Sequence, residues 1–96
     1  MGRTEVLNVN VPGRVSRVDA VTYEAMKRAI LQVTPKQPPG LSAAEMVEQV
    51  APHLPGDLWP NGEKIGWWHK TVQLDLEARG LLVRAAGSKP LRWHRA

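Results

Sequence analysis

Ninety-six residues carry 13 Lys and Arg against 9 Asp and Glu, a formal charge of +4, and no cysteine. That length suits one domain with a radius of gyration of about 12 Å, and the absent thiols exclude a disulfide scaffold, a thiol nucleophile and every thiolate metal site. At 43% apolar and 23% charged the composition is that of a globular chain, no apolar run is long enough to span a bilayer, and Met1–Val11 lacks a signal core, so a cytoplasmic protein is expected.

Glu5–Val11 alternates Leu7, Val9 and Val11 with Asn8 and Asn10, the period of a short half-buried strand. Pro12-Gly13 turns the chain, and Val15–Val18 can continue extended. Asp19 is placed to cap a first helix from Ala20 to about Val33, in which Tyr23, Met26, Ile30 and Val33 recur at helical spacing. Thr34-Pro35 ends it, because a residue before proline is pushed out of the α region. After the stiff turn Pro35–Gly40, Ser42-Ala-Ala-Glu45 has the form of a capping box, with Leu41 and Met46 as its hydrophobic staple. The second helix runs from Ala43 to about Ala51 with Met46, Val47 and Val50 inward, and Pro52 stops or kinks it.

His53–Asn61 is a loop that Leu58 and Trp59 plug into the core. Asn61 can cap a third helix, Gly62 to Arg79, with Glu63 in its first turn. Ile65, Trp68, Val72 and Leu76 form its core stripe, and Gly80 is the expected left-handed terminator. Leu81–Ala85 and Pro90–His94 read as two strands joined through Ala86-Gly87-Ser88-Lys89. A two-stranded hairpin is marginal alone, which leaves the N-terminal strand or a partner chain to complete its sheet. The expected class is α+β, mostly α, in one domain: N-terminal strand or arm over 1–18, three helices over 19–80, and a hairpin over 81–96.

Charge is unevenly placed. Gln37 to Glu63 holds four acids and no Lys or Arg, whereas Leu81 to Ala96 holds Arg84, Lys89, Arg92 and Arg95 and no acid. Arg3, Arg14 and Arg17 add to this near the N-terminus against Glu5 alone. The asymmetry suits a basic face offered to a polyanion, or a solvated tail that keeps a small protein soluble.

The run Val72-x3-Leu76-Glu-Ala-Arg-Gly80-Leu-Leu-Val83-Arg84 resembles the end of the third helix and first wing strand of winged-helix proteins, with similar runs in MarR-type regulators and the N-terminal domain of Mrr-type restriction enzymes. Leu41-Ser42-x-x-Glu45 resembles the start of their second helix. Gly66-Trp67-Trp68-His69-Lys70-Thr71-Val72-Gln73-Leu74-Asp75-Leu76-Glu77, taken with Pro90-Leu91-Arg92-Trp93-His94-Arg95, is similar to a small bacterial family known only as a domain of unknown function. The long connection Pro52–Asn61 and the acidic second helix depart from the standard helix-turn-helix.

The winged-helix resemblance implies a third helix in the major groove and a wing on phosphate or the minor groove. Lys64, His69, Lys70, Thr71 and Gln73 would then offer hydrogen bonds to base edges. Arg84, Lys89, Arg92 and Arg95 would meet phosphate, unless they are simply solvated around a core Trp93. Trp67 and Leu74 make a second apolar stripe, suited to a two-fold homodimer or to packing under the N-terminal arm, and Trp67 is also suited to stacking on a sugar or a base. The expected function is that of a winged-helix double-stranded DNA-binding protein, such as a transcription regulator. The alternative is a protein-interaction or dimerisation module of the same shape that binds no DNA.

Catalysis finds no constellation. His53, His69 and His94 are isolated from one another in sequence, and Asp75 and Glu77 diverge on a helix. Glu45 is committed to its cap, and no glycines have phosphate-loop spacing. No enzyme activity, cofactor, metal, membrane partner or small-molecule ligand is expected.

Overall fold

In the computed structural model, which describes residues 2–87 and 89–96, the chain opens with an antiparallel hairpin. Its strands, β1 (Arg3–Leu7) and β2 (Val15–Asp19), pair from Arg3↔Asp19 to Leu7↔Val15. Met1 and Ser88, the latter in the expected turn of the terminal hairpin, lie outside the described residues. The first strand ends earlier than the alternation over Glu5–Val11 predicts, and Val9 and Val11 are exposed. The Asn8 side chain accepts the Asn10 amide at 2.9 Å, and Val11 N–H returns to the Asn8 carbonyl at 3.0 Å. Those local bonds give the backbone an alternative to the ladder.

Helix α1 (Ala20–Val33) has the predicted bounds. The Asp19 carboxylate accepts the Thr22 amide at 3.0 Å and its hydroxyl at 2.7 Å, and these bonds hold the Asp19 carboxyl below its ordinary range. Helix α2 (Ala43–Val50) starts on the predicted capping box. Ser42 Oγ accepts the Glu45 amide at 3.2 Å, and Glu45 Oε1 accepts the Ser42 amide at 2.9 Å. A 3-10 turn, Ala51–His53, absorbs Pro52.

Helix α3 spans Ile65–Ala78, so its start corrects the expected Gly62. Asn61 is not its cap. It lies at φ 58° within the 3-10 turn Pro60–Gly62, Gly62 follows at φ 73°, and Lys64 takes the N-cap position at φ 66° with no side-chain cap. Left-handed residues cannot propagate a right-handed helix, so the chain bends before α3 begins. At the other end Gly80, at φ 78°, donates to Glu77 O at 3.1 Å while Leu81 donates to Leu76 O at 2.8 Å, a Schellman closure.

A second sheet has the order β3-β5-β4, from β3 (Leu41–Ser42), β4 (Leu82–Arg84) and β5 (Arg92–Arg95), all antiparallel. The residues before α2 therefore complete the terminal hairpin, not the N-terminal strand. Gly40 makes this possible: at φ 83°, a Cβ there would lie 1.8 Å from the Trp93 carbonyl oxygen. The core joins Val6, Tyr23, Met26, Ala29 and Ile30 to Met46, Val50, Trp59, Val72, Leu76, Leu82 and Trp93. Within the predicted α3 stripe, Val72 and Leu76 are fully buried, whereas Ile65 and Trp68 are half-buried at its edge.

Candidate nucleic-acid interface

The N-terminal hairpin decides which part of α3 is open. Asp75, fully buried on α3, accepts the Leu7 amide at 2.8 Å, the Arg79 guanidinium at 2.9 Å and the Tyr23 hydroxyl. Arg79 also donates to the Glu5 carbonyl at 3.0 Å, tying the strand to the helix end. Burial, together with the neighbouring Asp75 carboxylate, pushes the Tyr23 phenol far above its ordinary range. The hairpin thus covers the Asp75 side of α3, in a stretch, Val72 to Leu76, that the core buries on its other side. Leu74 is buried and lines one cleft with Asn8 and another with Asn10, both from the hairpin's loop.

The N-terminal half of α3 is uncovered. Lys64, Trp67 and Lys70 are exposed, Trp67 at 57%, and Thr71 is half-buried. His69 and Gln73, the other two expected base readers, are buried at 2% and 4% exposure and face the protein. Burial lowers the His69 imidazole to a pKa of about 4, so it is neutral at pH 7. Its Nε2 has no hydrogen-bond partner among the described residues. A cleft of about 460 Å³ lies between α2, α3 and β5, walled by Ala43, Val47, Leu91 and Trp93 with Lys70 at its edge. A second, of about 340 Å³, separates the N-terminal hairpin from α3 and is lined by Asn8, Arg14, Ser16, Arg17, Trp67 and Thr71.

The arginines of the terminal hairpin bind their own protein. Arg84 reaches both Glu77 oxygens, at 3.3 and 3.1 Å, and stands 5.5 Å from the Trp93 ring centroid, while Trp93 Nε1 donates to the same carboxylate. Arg92 bonds Glu45 Oε1 at 2.9 Å and the Gly40 carbonyl at 3.1 Å. Arg95 donates to Thr34 O at 2.8 Å, at the C-terminal end of α1 where a cation is favoured. Lys89 is exposed. Among the described residues Lys64, Lys70, Lys89, Arg14 and Arg17 form no ion pair.

The apolar stripe expected of Trp67 and Leu74 is therefore divided. Leu74 is buried beside the hairpin loop, sharing clefts with Asn8 and Asn10, and Trp67 stays exposed, in edge contact with Trp68 at 5.3 Å. Arg14 and Arg17 join the open half of α3, a placement that sequence periodicity does not reveal. The excess of N-terminal arginine is the signal that pointed toward them.

These features define a three-helix α+β domain with two small antiparallel sheets, a helix half covered by an N-terminal arm, and a basic, aromatic-bearing open half. Residues 3–93 match the model of a family of unknown function, DUF6958, and the chain belongs to that family. No curated protein and no solved structure matches it. Among the described residues, no helix is long and apolar enough to cross a membrane, and His, Asp and Glu nowhere gather in threes that could hold a metal ion.

Proposed function

We propose that the chain is a winged-helix domain that binds double-stranded DNA through the open half of α3 and the N-terminal arm. The observation that carries this is the cluster of Lys64 and Lys70 around exposed Trp67, with Arg14 and Arg17 across the adjoining cleft, none of them in an ion pair among the described residues. The connectivity supports the reading: α1, β3, α2, α3, then β4 and β5, with β5 central in its sheet. In helix-turn-helix relatives the N-terminal residues of the recognition helix meet the base edges, and the N-terminal half of α3 is the half left uncovered here. Lys64, Lys70 and Thr71 supply the groove contacts. Arg14, Arg17 and the hairpin-tip Lys89 supply phosphate contacts.

Arg84, Arg92 and Arg95 are assigned to shaping the wing, since breaking their internal bonds to reach a phosphate would exchange one charged partner for another. The buried His69 and Gln73 support α3 from within. A fluorescent duplex titrated at low and high salt tests the proposal. Tight binding at low salt that weakens steeply with added salt is expected, and Lys64→Glu with Lys70→Glu should abolish it. No binding of wild type at low salt would defeat it.

A further inference from the structure

We propose that the cleft between the N-terminal hairpin and α3 receives one unpaired nucleotide, so that the preferred ligand is a duplex carrying an extrahelical base rather than an uninterrupted one. This rests on the DNA-binding reading above. An exposed tryptophan beside two unpaired arginines is what a nucleotide needs: an aromatic face for the base and guanidinium groups for the phosphate. Trp67 supplies the first and is not a loose side chain. Its ring meets Trp68 edge-on at 5.3 Å, and Trp68 meets the buried Trp59 edge-on at 6.2 Å, so the exposed ring is braced against the core. A platform held this way loses little freedom when a base stacks on it.

The cleft's volume of about 340 Å³ falls in the range of small-ligand sites. Arg14 and Arg17 stand on the hairpin side with Asn8 and Ser16, and Thr71 stands beside Trp67 on the helix side. The amide and hydroxyls can donate to or accept from a base edge. Glu5 stands opposite Arg17 in the β1–β2 register, but neither arginine forms an ion pair among the described residues, and Asp75 and Glu77, the acids of this part of α3, are already engaged with Arg79 and Arg84. An intact duplex has every base stacked and cannot fill such a cleft, whereas a bulged base is already unstacked.

The test compares three fluorescent duplexes of one sequence: fully paired, with a single-base bulge, and with an abasic bulge. Wild type should bind the base bulge about tenfold more tightly than the paired duplex. Trp67→Ala should erase that preference, so that paired and bulged duplexes bind alike, and Trp67→Phe should restore part of it. Because Trp67 is 57% exposed, its removal leaves the core in place, which circular dichroism of the variant verifies. Equal binding of paired and bulged duplexes would overturn the inference and leave the DNA-binding reading standing. A preference that survives Trp67→Ala, or that the abasic bulge shares, would overturn it too, since bending of the DNA would then be what is recognised. Failure to bind any duplex would remove both.

Discussion

Glu45 Oε1 accepts the Arg92 guanidinium at 2.9 Å while it closes the capping box on Ser42, also at 2.9 Å. One carboxylate oxygen thus ties the start of α2 to the central strand of the second sheet. The Ser42 amide bond and the charge of Arg92 both hold the Glu45 carboxyl below its ordinary range. An arginine that reads from sequence as a phosphate contact is thus held by two internal bonds, to Glu45 and to the Gly40 carbonyl.

Replacing Arg92 with Ala should therefore lower the melting temperature slightly, by an amount that shrinks in high salt, because the pair is partly exposed. Affinity for duplex DNA should not change. Ser42→Ala removes the other half of the arrangement and should cost about 1 kcal/mol in urea unfolding. Titrating duplex against Arg92→Ala separates the two roles: a large loss of affinity would return the arginine to the DNA surface.

Gly40→Ala should be among the most damaging small substitutions. The left-handed backbone alone costs about 1–3 kcal/mol for a residue with a side chain, and here the new methyl would also meet the Trp93 carbonyl at 1.8 Å. Gly13 is the control, since it too has positive φ, 88°, but has open space around it. Urea unfolding of the two variants should show the larger loss at Gly40. Equal losses would mean that β3 does not need its close approach to β5.

Asp75 holds the arm, and its removal should show as two effects. Asp75→Ala leaves the Leu7 amide, the Tyr23 hydroxyl and the Arg79 guanidinium without their shared acceptor. Arg79 is 40% exposed and can turn to water, but each buried donor left without its acceptor costs about 1–3 kcal/mol. The hairpin over residues 3–19 should also become sensitive to brief proteolysis at protease levels that spare wild type. Resistance equal to wild type would mean that Val6 and its neighbours hold the arm without the carboxylate.

The features most legible in sequence were those that depend on nearest neighbours. Asp19, the Ser42–Glu45 box and Gly80 act within one helical turn, so residue identity and spacing suffice to read them. Asn61 misled because its side chain suits a cap while its backbone, at φ 58°, belongs to the turn that Pro60 opens. β3 is two residues long, too short to show any alternation, and its role is visible only beside Trp93. Asp75 carried no signal, because helical spacing shows which face a residue occupies but not that a distant strand will cover that face. The internal partners of the wing arginines were hidden for a related reason: Glu45 and Glu77, which bind Arg92 and Arg84, are 47 and 7 residues away in sequence.

His69 gives the molecule a predictable acid limit. Its ordinary pKa of 6.5 falls to about 4 on burial, so the folded state holds the neutral ring and the unfolded chain binds the proton more readily. Stability is then complete above pH 6.5 and declines as the pH drops toward 4, by about 3 kcal/mol across that window. The lowered carboxyls of Asp19 and Glu45 add their losses only below their own ordinary values of 3.8 and 4.5. Urea unfolding from pH 7 to 5 should show the decline in wild type and a flatter profile in His69→Gln. Parallel profiles would place the proton elsewhere.

The proposed division of cations into framing and contacting sets has its own measurable consequence. Each phosphate contact that is lost should reduce the slope of log K against log salt by about 0.9. Arg14→Ala, Arg17→Ala and Lys70→Ala remove charges with no ion pair among the described residues, so each should flatten the salt dependence by about that amount. Arg84→Ala removes a guanidinium already neutralised by Glu77, which is itself nearly buried, with 5% of its side chain exposed. Once Arg84 is gone, the Glu77 charge keeps the Trp93 hydrogen bond but has no cation to neutralise it. The expected result is an unchanged slope with a modest loss of affinity from repulsion. If Arg84→Ala flattened the slope while Arg14→Ala did not, the wing and not the arm would carry the phosphates.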